Sequence, residues 1–459
     1  MALSILIACL QGLLVPIALP ALLLVCHRSG NIRRMKAAER VLEKEQFNAA
    51  DLPPTSSCLE SSMTQNGTES GVSRCDPSSL ATSQNVFTPI INDALFRLAL
   101  HVLQESGQET AVVSPFSLGM CFATVNMGAK DKTSQEITDG IFEGTPKVEV
   151  AAGFQNAVEA MKRHDSQKDE KPPVDIAAAI YVDSTVHIVD QFRNDVDKFF
   201  ACPTKTAHFE KNSKAECASL NKFVEDHTGG RIRDLFDARV ITPLTRLVAV
   251  NAMFMKASFV NPFDPSETNK DDFHNEDGST KQVPTMHGED ERCSFLKSES
   301  FVFCSKLCKP PGFEFFILVP KNQTLKDLKD QFASSKEAFS SITTTAKKGM
   351  EVEISLPKFN AEGTFRQLEE SMEKLGVVQM FKLERANFQD LSDNDPVYVE
   401  TFIHKAILEV DETGATGAAA TAMDFNDGLS TAEILKADRP FIYGISFKKT
   451  PIIVGQFYA

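Results

Sequence analysis

From about residue 86 the hydrophobic positions of the 459-residue chain fall into helical and strand-like runs. In NDALFRLALHVLQE the apolar residues Ala94, Leu95, Leu98, Ala99, Val102 and Leu103 recur at helical spacing, with Asn92 or Asp93 placed to cap the helix. TAVVSPFSLGMCFATVNMGA reads as a short β-branched strand, a break at Pro115 and a helix with Ser114 or Ser117 as its N-cap. Thr133 and Glu136 in DKTSQEI have capping-box spacing, which predicts another helix start. Strands are expected at DIAAAIYVD, RLVAVNAMFM, FEFFILVP, VEISLPKF, FIHKAILEVD and the terminal pair PFIYGISF and TPIIVGQFYA. Helical runs such as SLNKFVEDHT and TFRQLEESMEKLGV alternate with them irregularly. Nothing repeats at a fixed period, so the chain is neither a solenoid nor a propeller. The pattern predicts a mixed α+β fold with several sheets in one large body.

The residues before this body behave differently. Residues 1–26 are apolar for about the length that crosses a bilayer. They lack a basic n-region, contain Pro16 and Pro20, and are followed by the basic run HRSGNIRRMKAAER. Arg28, Arg33, Arg34 and Lys36 would stay in the cytosol if this segment were an uncleaved anchor. The sequons at Asn66 and Asn322 favour the secretory path. Secretion behind a signal peptide is therefore the first expectation, and membrane attachment through residues 1–26 the alternative. Residues 27–85, basic and then rich in Ser and Thr, read as a linker leading to a body at 86–459.

Composition narrows the chemistry. A net charge of −14 argues against nucleic acid as a partner, and against heparin outside a local patch. The 10 cysteines form no CxxC pair, and Cys304 with Cys308 has no further ligands at metal spacing. Scattered thiols, with room for one disulfide, are favoured over a metal site. There is no GxSxG, HExxH, P-loop or GxGxxG motif, and no local grouping pairs a nucleophile with a base. No cofactor is implied.

One stretch resists every ordinary assignment. EVDETGATGAAATAMDF, residues 409–425, leaves a strand, passes three acids and then runs through Gly414–Ala422 without a charge or a large side chain. It lacks the bulky spacing of a core helix and the Pro, Asn and Lys of a solvated loop. It suits a segment that sits in water yet can also fit somewhere tight.

The motifs VVSPFSLGMCFATVNMGAKDKTSQEI, VAVNAMFMKASFVNPFDPSETNKDDFH, ISLPKF, FIHKAILEVDETGATGAAATA and DRPFIYGI stand in the order and approximate spacing of serpins, and residues 86–459 resemble that family. The resemblance implies three β-sheets, eight or nine helices and an exposed reactive loop at about 412–436. It also implies a monomer that traps a target protease as a covalent acyl-enzyme when the cleaved loop inserts into the central sheet. The hinge of that loop corresponds to Glu412, Thr413, Gly414, Ala415, Thr416, Gly417, Ala418, Ala419, Ala420 and Thr421. Alternate side chains enter the core on insertion, so Ala415, Gly417, Ala419 and Thr421 meet its steric demand. Ser114, Ser117, Asn251 and His404 match the family's shutter, a buried polar cluster under the point where the strands part. Glu412 and Lys358 match a salt bridge that restrains premature insertion.

Three departures bear on efficiency. Phe259 stands in place of the usual tryptophan, since the chain has none. Thr110 replaces a shutter asparagine. Ala415 and Gly417 replace commoner hinge residues, and glycine costs roughly 0.5–1 kcal/mol in a strand.

Counting back from Pro440-Phe441 places the scissile bond at Leu429-Ser430, and counting forward from Glu412 places it at Gly428-Leu429; Leu429-Ser430 is preferred. Met423 and Phe425 are fallback sites, and Asn426-Asp427-Gly428 reads equally as a turn. With no Lys or Arg between Glu412 and Ala432, a chymotrypsin-like or cathepsin-like target is expected rather than a trypsin-like one. The competing classes are a non-inhibitory serpin, as ligand carrier or chaperone, and a hydrolase.

Overall fold

The computed structural model describes residues 87–459 apart from Gln108, 166–173, Ala201, 256–257, Glu337, Gln367, Asp395 and 415–431. Among these are nine α-helices and two hydrogen-bonded sheets. No described helix is long and apolar enough to cross a membrane.

The five-stranded sheet has the order β11 (Phe359–Phe365), β12 (Thr401–Val410), β4 (Leu247–Met255), β2 (Val174–Asp183) and β3 (Thr204–Ala207). The ten-stranded sheet runs β1 (Ala111–Val113), β15 (Thr450–Phe457), β14 (Phe441–Phe447), β9 (Phe313–Pro320), β8 (Phe301–Lys309), β7 (Thr280–Lys297), β10 (Lys347–Pro357) and β13 (Glu433–Lys436). To it belong β5 (Ser258–Phe259), paired with β8, and β6 (Asn269–His274), paired with β7. Of the three expected sheets, two are thus continuous. The reason is β7, whose 18 residues pair with β6 and β10 along most of their length and with β8 at their end.

One junction differs in kind from its neighbours. β12 and β4 are parallel over eight pairs, from Thr401↔Val248 to Leu408↔Met255, while β11–β12 and β2–β4 are antiparallel. Parallel pairing is slightly the weaker per residue. The sheet is buried on both faces, which explains why these strands read as near-continuous apolar runs. Leu247, Ala249, Met253 and Met255 face the main core with Phe402, Ala406, Leu408 and Val410. Val248, Val250, Ala252 and Ile403 face a smaller core capped by helix Phe209–His227.

Helix starts correct two sequence expectations. The first helix, α1, spans Pro89–Glu105 after Thr88, so Asn92 and Asp93 lie inside it. Asp93 instead accepts from the backbone N–H of Ser340, 2.8 Å away, in the first turn of the short helix Phe339–Thr345. The third helix, α3 (Asp131–Phe142), starts after Lys130, so Thr133 and Glu136 form no capping box. Their side chains accept from Asn387 N at 3.0 Å and from Val378 N and Gln379 N at 2.9 and 2.7 Å. Local spacing marked capping residues, but tertiary partners claimed them. For α2 (Pro115–Gly128) Ser114 is the cap, accepting from Ser117 N at 3.1 Å.

Candidate functional site

At the top of the β12–β4 junction the chain leaves Val410 and turns back on itself. Asp411 and Gly414 exchange two backbone hydrogen bonds of 3.1 Å. The Asp411 carboxylate accepts from Thr413 N at 2.9 Å and from its hydroxyl at 2.7 Å, and Gly414 takes φ +97°, a conformation costly for any side-chain-bearing residue. The returning residues dock on the segment that follows β4. Phe259 N donates to Thr413 O at 3.0 Å, Phe263 N donates to Glu412 O at 2.8 Å, and Ser258 forms an antiparallel bridge with Gly414.

The Glu412 carboxylate is tied down twice. Lys358 Nζ lies 2.7 Å from Oε2, and Thr268 Oγ1 donates to Oε1 at 2.9 Å. Burial alone would raise this carboxyl, but the bonds from Lys358 and Thr268 outweigh it and hold it below the usual carboxylate range. The pair expected from sequence is therefore formed. Its glutamate side chain is only 10% exposed while the lysine is 45% exposed, so it is worth more than a fully solvated bridge. Thr268, its third member, has no sequence signal, because it lies 144 residues away in a loop.

Midway along the junction lies a second polar group. His404 is fully buried in β12, and its Nε2 accepts from Ser114 N at 2.9 Å. Ser114 Oγ donates to Ile452 O in β15 at 2.8 Å. The N-terminus of α2 is thereby fastened to both sheets at once. Burial pushes the imidazole down to about 3, and the acceptor role of Nε2 agrees with a neutral ring. Its ring stacks on Phe365 at 6.0 Å. Ser117 is buried and contributes its backbone N–H to Ser114. Asn251 is the register partner of His404 across the junction, though its side chain is not among those described. Thr110 binds the chain end instead: its hydroxyl donates to Tyr458 O at 2.6 Å and accepts from Tyr458 N at 2.9 Å.

Phe259 is buried beneath the hinge and packs edge-on against Phe263 and Phe315, with ring centroids 5.7 Å apart in each case. An aromatic floor thus exists without tryptophan. Asn322 is exposed in a left-handed conformation, φ +59°, before helix Leu325–Ser334, and Thr324 of its sequon is the N-cap of that helix. All six described cysteines, Cys121, Cys202, Cys217, Cys293, Cys304 and Cys308, are buried and free. Residues 1–85 with Asn66, hinge positions Ala415–Thr421, and Gly428, Leu429 and Ser430 lie outside the described residues.

One grouping escaped the sequence. Ser355 Oγ lies 3.2 Å from His287 Nδ1, and His287 Nε2 lies 2.9 Å from Asp271, on the wall of an open cavity of about 470 Å³. The order Ser–His–Asp is that of a hydrolytic triad. However, Ser355 sits inside β10 with β7 on one side and β13 on the other, so its backbone is committed to ladders rather than shaped as an oxyanion hole. It reads as a cross-strand hydrogen-bond chain.

A sequence model of the serpin family, serine protease inhibitors, matches residues 90–459. A serine protease inhibitor of Cyanea capillata is 29% identical over 356 residues, covering 76% of this chain and 92% of that relative. Alpha-1-antiproteinase 2 of Equus caballus is 28% identical, covering 82% and 87%. Among solved structures, native tengpin, a thermophilic serpin, superposes with a TM-score of 0.70 at 21% identity over 81% of this chain and 94% of its own. Thyroxine-binding globulin in complex with thyroxine gives 0.67 at 24%, over 80% and 97%.

Proposed function

The chain belongs to the serpin family, and from that premise we propose that it is a suicide-substrate inhibitor of a chymotrypsin-like serine protease. The observation that carries this reading is one of register. Gly414 is already bridged to Asp411 on one side and to Ser258 on the other. The first register, continued antiparallel, brings Thr421 opposite His404; the second brings Thr421 opposite Asn251. Those two residues are themselves partners across the β12–β4 junction. The two bridges therefore define one slot, and residues 412–414 stand at its mouth in a register that would lead the rest of the hinge into it.

Insertion along this register replaces one parallel junction by two antiparallel ones. It places Ala415, Gly417, Ala419 and Thr421 on the face that Ala249, Met253, Phe402 and Leu408 present to the main core. All four are small and uncharged. In this mechanism the protease attacks Leu429-Ser430 (alternatively Gly428-Leu429), forming an ester to its serine and freeing the chain that begins at Ser430. Zipping of the hinge then carries the bound enzyme away before water releases it. Asn251 and His404 line the slot at its lower end. Glu412, held by Lys358, keeps the intact loop from starting early.

We further propose that the chain acts as a monomer in the secretory path, glycosylated at Asn66 and Asn322, with attachment through residues 1–26 as the alternative. The carrier reading is kept because thyroxine-binding globulin shares the fold. Incubation of the full chain with chymotrypsin separates the two. An inhibitor gives a complex stable in denaturant and releases a peptide starting at Ser430. A carrier gives clean cleavage with no complex and no gain in melting temperature.

A further inference from the structure

Directly under the hinge lies a buried ion pair that the inhibitory mechanism does not call upon. Lys306 of β8 and Asp290 of β7 contact each other with side chains only 4% and 2% exposed. Asp290 also accepts from Asn261 Nδ2 at 2.9 Å and from Arg292 N at 3.0 Å. The Lys306 ammonium lies over two rings, 5.5 Å from the centroid of Phe259 and 5.1 Å from that of Phe263. Such contacts are favourable when desolvated.

A buried pair seldom surpasses apolar packing in stability, because removing two charges from water costs about as much as their attraction returns. What it adds is a fixed position. The positions fixed here are Phe259, Asn261 and Phe263, and the backbone N–H groups of Phe259 and Phe263 hold the carbonyls of Thr413 and Glu412. The neighbouring Val260 N donates to Leu307 O at 2.9 Å, so β8 supports the same segment from below. A chain of direct contacts therefore runs from the ammonium to the first residues of the loop.

We propose that Lys306 and Asp290 are positioning residues for loop insertion. They hold the Ser258–Phe263 segment so that the hinge starts in the register of the slot, and thereby set the partition between trapping and release of the protease. This rests on the reading that the cleaved loop inserts. Loss of the pair leaves cleavage of the loop untouched but slows the first pairing step, so more acyl-enzyme hydrolyses.

The test compares the full chain with its Lys306→Met/Asp290→Asn variant, which removes both charges and keeps the shape. Both are titrated against chymotrypsin, and their melting temperatures are measured before and after loop cleavage. In the variant, the number of inhibitor molecules consumed per protease trapped rises several-fold, on the order of tenfold if one positioning interaction is lost from the rate-determining step. The melting temperature before cleavage stays close to that of the parent, so the change in partition is not a consequence of lost native stability, and a merely structural pair would leave the partition unmoved. Phe263→Leu, which removes one ring from beneath an intact pair, moves the partition the same way by less and serves if the double variant does not fold. An unchanged partition in both variants, with the parent still gaining stability on cleavage, overturns the proposal alone. No gain in the cleaved parent overturns loop insertion itself, and this inference with it.

Discussion

The β12–β4 junction is fastened at two places by opposite kinds of chemistry. At the top, the hinge is held by charge: Glu412 to Lys358 near solvent, and Lys306 to Asp290 packed on the aromatic floor. In the middle, His404, Ser114 and the Ile452 carbonyl are joined by bonds in which the buried imidazole is neutral. The buried Lys306–Asp290 pair cannot be parted without stranding a charge, but the half-exposed Lys358 can release Glu412 with little collapse elsewhere. A neutral buried network has no such freedom, because a lost partner strands a desolvated group. The top is built to let go and the middle to re-pair.

The largest expected effect comes from filling the slot. Residues 415–421 would gain up to seven residues of pairing on each side and give up the eight-pair parallel junction, and at about 0.5–1.5 kcal/mol per net hydrogen bond the cleaved chain should melt roughly 10 °C above the native one. Thr421→Arg should abolish both that rise and the covalent complex, because a guanidinium would have to enter beside His404. A Thr421→Arg protein that still traps chymotrypsin would break the register argument.

Next is the middle fastening itself. His404→Ala should destabilise the native chain by about 2–4 kcal/mol, combining a cavity with an unpaired Ser114 N–H. Chemical denaturation measures this directly.

Acidity then separates the two fastenings. His404 titrates lower in the fold than its ordinary value of 6.5, so the unfolded chain binds the extra proton. Its contribution is complete above 6.5 and declines as pH falls toward about 3, by up to about 1.4 kcal/mol per unit. Glu412 is also lowered, from 4.5, so its contribution is present above that value and is lost only as pH falls through its folded pKa. Between 6.5 and 4.5 the middle should loosen while the hinge stays latched. Stability measured across this interval should slope in the parent and lose that component in His404→Gln.

The smallest effect is at the latch. Glu412→Gln should cost about 1 kcal/mol and speed spontaneous loss of inhibitory capacity on storage at neutral pH, leaving the first encounter with protease unchanged.

Much of this was legible in the sequence, and the failures share a cause. The hinge stood out because small uncharged residues between strands build neither a core helix nor a solvated loop. The strands β4 and β12 stood out because apolar runs of that length suit a sheet covered on both faces. Lys306 and Asp290 did not, since a charge within a strand reads as facing water until the opposite charge is seen on the neighbouring strand. Strand β7 was missed for a related reason: TKQVPTMHGEDERCSFLK changes partners along its length and keeps no single alternation. Asp93 and Glu136 misled because a carboxylate that caps its own helix and one that caps a distant backbone look identical in one dimension.

The place of β15 carries a consequence for biosynthesis. This strand, the last in chain order among those described, lies between β1 and β14, 338 residues from the Ser114 hydroxyl it holds, and its Ile452 carbonyl completes the His404 fastening. While a ribosome still holds residues 450–457 in its exit tunnel, the nascent chain has β4 and β12 but nothing to lock α2 across them. The polypeptide must wait, with its five-stranded sheet unsecured, until residues 450–457 have emerged, which makes the interval before their emergence the moment of greatest exposure to chaperones and to self-association.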